Sequence, residues 1–275
     1  MYSKAATGDV APISEVMGGK AHLDYAQALA LDANGNIFVS SFARITVYAA
    51  GSNGNVKPHR EITGMATQLD VTEGVAVDAA RDIYVVNNAL HYSEIAIFAA
   101  DANGNVEPAR EIIGPKTHLA APNGIALDAA GNCYVTNTTS PASVTVYASG
   151  AQGDVRPIAR ISGPKTQLND PLGIAAGADG AIYVSDYASK SVLVYAAGAH
   201  GNSAPIRTIA GAKTTLSGPA SVAVDGQHLF VTNISEPKSV LIFKADANGN
   251  VAPIRAITGP RTKLDDPLGI ALRRL

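Results

Sequence analysis

The sequence has few cysteines, no tryptophan and little charge, and each shortage excludes a class of structure. Only one cysteine, Cys133, is present in 275 residues, so neither an intrachain disulfide nor a cysteine-based zinc site can form. A single thiol fits either a reducing compartment or a secreted protein that avoids cysteine. Charged residues make up 16% of the chain and hydrophobic residues 47%, a balance that excludes disorder and allows a substantial core.

Long apolar runs and an excess of one charge are also missing. The formal net charge is -2 at pH 7, so we expect no nucleic-acid partner and no general attraction to acidic membranes. No apolar stretch approaches the roughly 20 residues of a membrane span, so we expect no membrane insertion. Residues 1–5 lack the apolar core of a signal peptide, which leaves a cytoplasmic protein or one whose leader has been removed.

Internal repetition is the dominant feature of the sequence. The motif Gly-Asn/Asp-x-x-Pro recurs at intervals of about 48 residues. Its glycines are Gly8, Gly54, Gly104, Gly153, Gly201 and Gly249. Each complete copy carries four short strand candidates of the types GIALD, IYVTN, SVTVY and PIRTI, which are rich in β-branched residues and separated by turn residues.

Four strands in about 48 residues, repeated around an axis, are typical of the blades of a β-propeller. The repeated pattern GNVxPIRxIxGPxTxLxxPxGIAxDxxGNIYV resembles the NHL-repeat family of propellers, and most closely its bacterial members. The resemblance covers essentially the whole chain and implies a fold, but it says almost nothing about activity. We predict an all-β, six-bladed β-propeller of four-stranded antiparallel blades that forms a single domain over residues 1–275.

The number of blades is less regular than the repeat. Five complete sets of four strands begin near Ala28, Gly74, Gly124, Gly173 and Ser221. The chain ends on a first-strand candidate at 269–272, and it begins with the end of a third strand at 2–5 and a fourth strand at 10–16. We therefore predict that both termini together build an incomplete sixth blade. The alternatives are a truncated chain and a five-bladed ring with frayed ends.

The loops fall into an invariant and a variable group. The connections between first and second strands and between third and fourth strands barely differ among the copies, and they share one face of a propeller. The other connections differ and share the opposite face, which we name the variable face. Because loop variation on a rigid scaffold is how such folds acquire ligands, we predict that a protein, glycan or other small molecule binds there. Neutral drift of surface loops is the alternative explanation.

Basic residues recur at one position of the variable face, where clustered cations could bind an anionic ligand, a glycan or an acidic peptide. They are Lys20, Lys116, Lys165, Lys213 and Arg261, with Ala66 interrupting the series. The alternative is that they only keep the loops soluble. The candidate ligand-binding residues are Lys20, His22, His91, Tyr92, Lys116, His118, Lys165, Tyr187, Lys213 and Arg261. We expect the protein to be a monomer.

A metal site is the second candidate. Glu73 and Asn123 occupy equivalent first-strand positions on adjacent blades, at the mouth of the central channel. They resemble part of the calcium site of gluconolactonase-type propellers, where Glu, Asn and Asp oxygens hold the ion near the axis. The opposing blades carry Leu172, Ala220 and Leu268 at this position, which leaves too few oxygen ligands for calcium.

No catalytic motif supports an enzyme. The chain lacks GxSxG, HExxH, P-loop and dinucleotide-binding fingerprints, and its six histidines form no triad or metal-binding spacing. We predict a non-catalytic binding or scaffold module without catalytic residues and without a cofactor. The alternative is a calcium-dependent hydrolase or lyase that acts at the channel mouth. Similar bacterial repeats often belong to exported proteins, so the resemblance implies an extracellular or cell-envelope location.

Overall fold

The computed structural model describes residues 1–89 and 92–273 of the chain. These residues form twenty strands in five separate sheets, and each sheet is a four-stranded antiparallel meander in chain order. The four-stranded antiparallel blades of the predicted propeller are therefore confirmed. No helix in the described part of the chain is long and apolar enough to cross a membrane.

The five blades follow one another along the chain. Blade 1 contains β1 (Ala26–Leu31), β2 (Ile37–Ser41), β3 (Arg44–Tyr48) and β4 (Arg60–Thr63). Blade 2 contains β5 (Thr72–Val77), β6 (Ile83–Ala89), β7 (Tyr92–Phe98) and β8 (Arg110–Ile113). Blade 3 contains β9 (Pro122–Leu127), β10 (Cys133–Asn137), β11 (Ser143–Tyr147) and β12 (Ala159–Ser162). Blade 4 contains β13 (Pro171–Ala176), β14 (Ile182–Asp186), β15 (Ser191–Tyr195) and β16 (Arg207–Ile209). Blade 5 contains β17 (Pro219–Val224), β18 (His228–Asn233), β19 (Ser239–Lys244) and β20 (Arg255–Thr258).

The prediction of six blades is wrong, because the chain forms five. Within the described residues, the terminal stretches 1–25 and 263–273 contain no strand. The physical reason is a missing second strand: the termini offer candidates for a first, a third and a fourth strand, but no segment of the IYVTN type. The second strand of a meander joins the first strand to the third, so no continuous four-stranded sheet can form without it.

The terminal segments nevertheless close the ring between blade 5 and blade 1. Gly8 forms a parallel bridge to Ile257 at the outer edge of blade 5, and Val16 forms another to Gly54 of blade 1. The same type of bridge joins each pair of successive blades at the glycine of the repeated motif. Apolar side chains from both termini pack together against blade 5, and they belong to Tyr2, Ala6, Val10, Leu264, Ile270 and Leu272.

Neighbouring first strands approach closely at the axis, and at Gly74 and Gly124 this approach leaves no room for a side chain. A Cβ atom at Gly124 would lie 2.3 Å from the carbonyl oxygen of Leu172 in the next blade, and one at Gly74 would lie 2.6 Å from that of Asn123. Heavy atoms cannot approach this closely, so a larger residue would push the blades apart. A hydroxyl on the second strand reinforces the contact, since Thr136 Oγ1 donates to the Leu172 carbonyl at 2.7 Å.

At the outer edge, each blade caps the turn that leaves the preceding blade. A one-turn 3-10 helix follows the fourth strand of each blade, at Met65–Thr67, Pro115–Thr117, Pro164–Thr166, Ala212–Thr214 and Pro260–Thr262. The Asn or Asp of the repeated motif accepts a hydrogen bond from this turn, as Asn105 Oδ1 does from the Ala66 N–H at 2.7 Å. Asp9 Oδ1 in the terminal segment accepts in the same way from the Arg261 N–H at 2.7 Å. Residues 8–16 thus make the outer-edge contacts of a blade without forming a sheet.

We expect Gly124→Ala to lower the free energy of unfolding by about 1–3 kcal/mol, because the new methyl group collides with the backbone of the next blade. Gly19→Ala is the matched control, since a Cβ atom there meets nothing within 4 Å. The control should change stability by less than about 0.5 kcal/mol. Urea unfolding measures both variants, and equally small effects would contradict the close approach of the first strands.

The role of the terminal segment is tested by comparing Asp9→Ala with Asn105→Ala. Each substitution removes one acceptor for the backbone of a 3-10 turn, so we expect each to lower the free energy of unfolding by about 1 kcal/mol. Thermal and urea unfolding provide the measurement. If Asn105→Ala destabilises the protein and Asp9→Ala does not, the terminal segment does not contribute to ring closure.

Candidate binding face

The predicted basic residues lie at the outer rim of the variable face. Each residue lies in a turn that follows the fourth strand of a blade or, at the N-terminus, the segment that forms the Val16 bridge. The residues are Lys20, Lys116, Lys165, Lys213 and Arg261. Their side chains are exposed, and Lys116 Nζ lies 3.6 Å from Asp154 Oδ2. Each residue belongs to a different turn of the rim, so the series is distributed over successive blades. Binding of an anionic ligand by this series stays a prediction.

Two histidines of the predicted set lie at the junctions between blades. His22 and His118 occupy the same repeat position with left-handed backbones, at φ of 54° and 59°. His22 Nδ1 lies 3.3 Å from Glu61 Oε2 in blade 1. Lys263, at the same position in the C-terminal segment, donates from Nζ to Glu15 Oε2 at 2.7 Å. This position therefore links a turn to the outer edge of the following segment, which gives His22 a structural role.

The predicted tyrosines lie on second-to-third-strand connections of two different blades. Tyr92 begins the third strand of blade 2, and Tyr187 begins the corresponding loop of blade 4; both are exposed. A surface pocket of about 330 Å³ adjoins the Tyr187 loop and is lined by Ser189, Lys190, Gly211, Ala212, Thr215 and Leu216. His91 lies outside the described residues. The predicted set is thus divided among several blades instead of forming one site.

The predicted metal-binding pair is brought together at the channel mouth. Asn123 Nδ2 donates to Glu73 Oε2 at 3.3 Å, and burial raises the pKa of Glu73. Calcium requires roughly six to eight oxygen ligands, whereas the equivalent positions of three other first-strand segments are Leu172, Ala220 and Leu268. Among the described residues, no group of three or more His, Cys, Asp or Glu side chains is arranged to hold a metal. These residues do not fit a calcium site, and no hydrolytic step follows from them.

The most exposed aromatic side chains in the described part of the chain lie on blade 1, outside the predicted set. Tyr25 is 83% exposed and Phe42 is 56% exposed, while Met65 in the following turn is 95% exposed. Both aromatic residues have left-handed backbones, with φ of 56° and 45°. Such a conformation costs on the order of 1 kcal/mol and persists only where the surroundings impose it. We refer to Tyr25, Phe42 and Met65 as the blade-1 patch.

The blade-1 patch borders a pocket of about 290 Å³. The pocket is lined by Asp24, Tyr25, Ser41, Phe42, Ala43, Arg44 and Thr63. Arg44 Nη1 lies 3.1 Å from Glu61 Oε1 and 4.0 Å from Asp24 Oδ2, so one guanidinium faces two carboxylates. Ser41 is 1% exposed, and its hydroxyl has no hydrogen-bond partner among the described residues.

A buried carboxyl group distinguishes blade 2. Glu94 is 1% exposed, and its Oε1 accepts from Asn87 Nδ2 at 2.7 Å, whereas Oε2 has no partner in the described part of the chain. Glu111 lies on the same sheet face, because it pairs with Ala96, two residues along the strand from Glu94. Burial raises the pKa of Glu94 to about 7, against the opposing effect of the Asn87 hydrogen bond and with a further contribution from the Glu111 charge.

Comparisons with known proteins identify the fold without identifying a family. No protein-family model matches the chain, and no curated protein matches it. A chain in the crystal structure of a nidogen/laminin complex matches with a TM-score of 0.67 and 19% identity, over 92% of this chain and 87% of that chain. A protein of unknown function from Bacteroides caccae matches with a TM-score of 0.62 and 12% identity, over 89% and 85% of the two chains. The protein is therefore a five-bladed β-propeller, and the narrower resemblance to NHL repeats is not confirmed.

The raised pKa of Glu94 predicts that stability depends on pH. The folded protein holds the Glu94 proton more tightly than the unfolded chain does. The contribution of Glu94 to the free energy of unfolding is therefore fully present below the unfolded pKa and is lost as the pH rises through the folded pKa. Between the ordinary pKa of 4.5 and about 7, we expect this group to lower the free energy of unfolding. The total loss should be about 3 kcal/mol, with a plateau above this range.

Urea unfolding of the wild type and of Glu94→Gln across roughly pH 5 to 8 measures this dependence. The substitution should remove the Glu94 part of the slope and make the protein more stable than the wild type at the alkaline end. Glu107→Gln is the matched control, because Glu107 is exposed and should leave the slope unchanged. Identical slopes for the wild type and Glu94→Gln would show that Glu94 does not titrate in this range.

Proposed function

We propose that this propeller is a protein-binding module that holds its partner on the variable face, at the blade-1 patch. The supporting observation is the exposure of Tyr25 and Phe42, which line a surface pocket, and of Met65, two residues after the lining residue Thr63. Aromatic and methionine side chains are enriched in protein interfaces, where a rigid ring supplies contact area with little loss of conformational entropy. The left-handed backbones of Tyr25 and Phe42 keep both rings outside the core, which favours a binding role over a packing role.

Two further points support a protein partner and a non-catalytic role. One chain of similar fold comes from a nidogen/laminin complex, so a propeller of this shape is found in an assembly with another protein. The sequence also carries none of the GxSxG, HExxH or P-loop motifs that indicate an enzyme. An extracellular or cell-envelope location is proposed from the resemblance of the repeats alone.

Photo-crosslinking tests the proposed surface. With p-benzoylphenylalanine in place of Met65, we expect a discrete adduct in extracts of cells that naturally produce the protein. The matched control carries the same amino acid in place of Ala50, which is exposed in the third-to-fourth-strand connection on the opposite face. Replacing both Tyr25 and Phe42 by serine should reduce the adduct at least about tenfold, because aromatic anchors dominate interface energies.

The outcome depends on the comparison between the two positions. The same adducts from positions 65 and 50, or no adduct from position 65, would contradict binding at the blade-1 patch. An adduct that survives the double serine substitution would do so as well. Urea unfolding of the double variant should match the wild type within about 0.5 kcal/mol, because both side chains are exposed.

A further inference from the structure

Ser41 is an exception at a position where the other four blades carry a longer polar side chain. It pairs with Ala26, the first residue of the first strand, and the residues with the same pairing in the other blades are Asn87, Asn137, Asp186 and Asn233. All four are fully buried. In each of these blades, the side-chain oxygen accepts a hydrogen bond from the loop that enters the first strand, at 2.7–2.9 Å.

Serine is too short to make this bond in blade 1. The donor equivalent to the Asp70 N–H of blade 2 is the Asp24 N–H, and no hydrogen bond joins it to Ser41 within the described residues. The pocket of about 290 Å³ is lined by both Asp24 and Ser41, so it opens where the other blades place an asparagine or aspartate side chain.

The walls of the pocket limit the chemistry of an occupant. Asp24 and Glu61 bring two carboxylates against the single guanidinium of Arg44, which disfavours a third carboxylate. A neutral carboxamide avoids this repulsion and can both accept and donate hydrogen bonds. The Asn233 carboxamide of blade 5 does both, since its Oδ1 accepts from the Ser217 N–H at 2.8 Å and its Nδ2 donates to the Ser217 hydroxyl at 2.7 Å.

We propose that the blade-1 pocket is a docking site for an asparagine side chain of the protein partner, which supplies the carboxamide that blade 1 lacks. The carboxamide oxygen accepts from the Asp24 N–H, as the side-chain oxygens of the other four blades do from the equivalent N–H. Tyr25 and Phe42 pack on the partner residues that flank the asparagine. The proposal rests on the proposed function and identifies the asparagine as the residue that anchors the partner. Anchors of protein interfaces are buried groups that are surrounded by further contacts, here those of the aromatic side chains.

The substitution Ser41→Asn tests the proposal from inside the fold. It restores the side chain that the other blades use, so we expect a higher urea midpoint together with at least about a thirtyfold loss of the Met65 cross-linking adduct. Ser41→Ala is the matched control, because it removes the hydroxyl and leaves the pocket open. Its adduct should stay within about fivefold of the wild type, because the buried hydroxyl does not contact the occupant.

The chemistry of the occupant is tested with three acetylated tripeptide amides, Leu-Asn-Leu, Leu-Asp-Leu and Leu-Ala-Leu. Their binding is followed by the backbone amide chemical shifts of Asp24 and Ser41. The asparagine peptide should bind at least about tenfold more tightly than the other two, and Ser41→Asn should abolish its shifts. Equal affinities for the asparagine and aspartate peptides, or for the asparagine and alanine peptides, would overturn the carboxamide assignment.

Different results would contradict the asparagine docking site and the protein-binding role of the variable face. If Ser41→Asn raises the urea midpoint but leaves the adduct intact, the pocket is not the anchor, and the protein-binding role of the variable face still stands. If the wild type gives no adduct from position 65, the proposed function itself fails. Loss of the adduct in Ser41→Asn with retention in Ser41→Ala supports both proposals.

Discussion

The close approach of successive first strands at the axis is the constraint on which the rest of the propeller depends. Only a residue without a side chain fits at Gly124, where a Cβ atom would lie 2.3 Å from the next blade. At the outer edge, Asn105 caps the turn of the preceding blade. Because equivalent residues make these inner and outer contacts along the chain, the orientation of one blade fixes that of the next. The loops of the variable face therefore start from fixed points, which is the preorganisation that a binding face requires.

Ring closure uses these same contacts without a complete blade. A Cβ atom at Gly269 would lie 3.0 Å from Ala28 Cα, and Thr232 Oγ1 donates to the Leu268 carbonyl at 3.3 Å, as Thr136 does between blades 3 and 4. The repeated glycine motif occurs six times, yet only five blades form, because the motif marks the outer edge and not the whole sheet. The number of second strands is therefore the quantity that predicts the number of blades.

Periodicity in the sequence locates what every copy shares, and this explains which predictions were possible. It predicted the four strands of each blade, and it placed Glu73 and Asn123 on adjacent first strands, where they meet. It could not identify Tyr25 or Met65, because their exposure depends on backbone conformation and on how the turns leave the sheet. Ser41 left a visible signal, a serine where the other copies have asparagine or aspartate. The consequence of that signal, an open pocket, required knowledge of the bond that the longer side chain makes.

Departures from a repeat are tolerated differently at different depths of a blade. An additional side chain at the axis disturbs the packing of two blades. The loss of one longer side chain near the end of a second strand removes a single hydrogen bond, worth about 1 kcal/mol. Blade 1 lacks the longer side chain at Ser41, and the polar groups around it remain oriented by the intact blade. Blades 1 and 2 each have a longer side chain at the neighbouring position, where Arg44 and Glu94 stand in place of Ser143 of blade 3. The short side chain of Ser41 in blade 1 leaves the Asp24 N–H for an external group. The longer side chain of Glu94 in blade 2 places a carboxyl group in the interior, where it holds its proton near neutral pH.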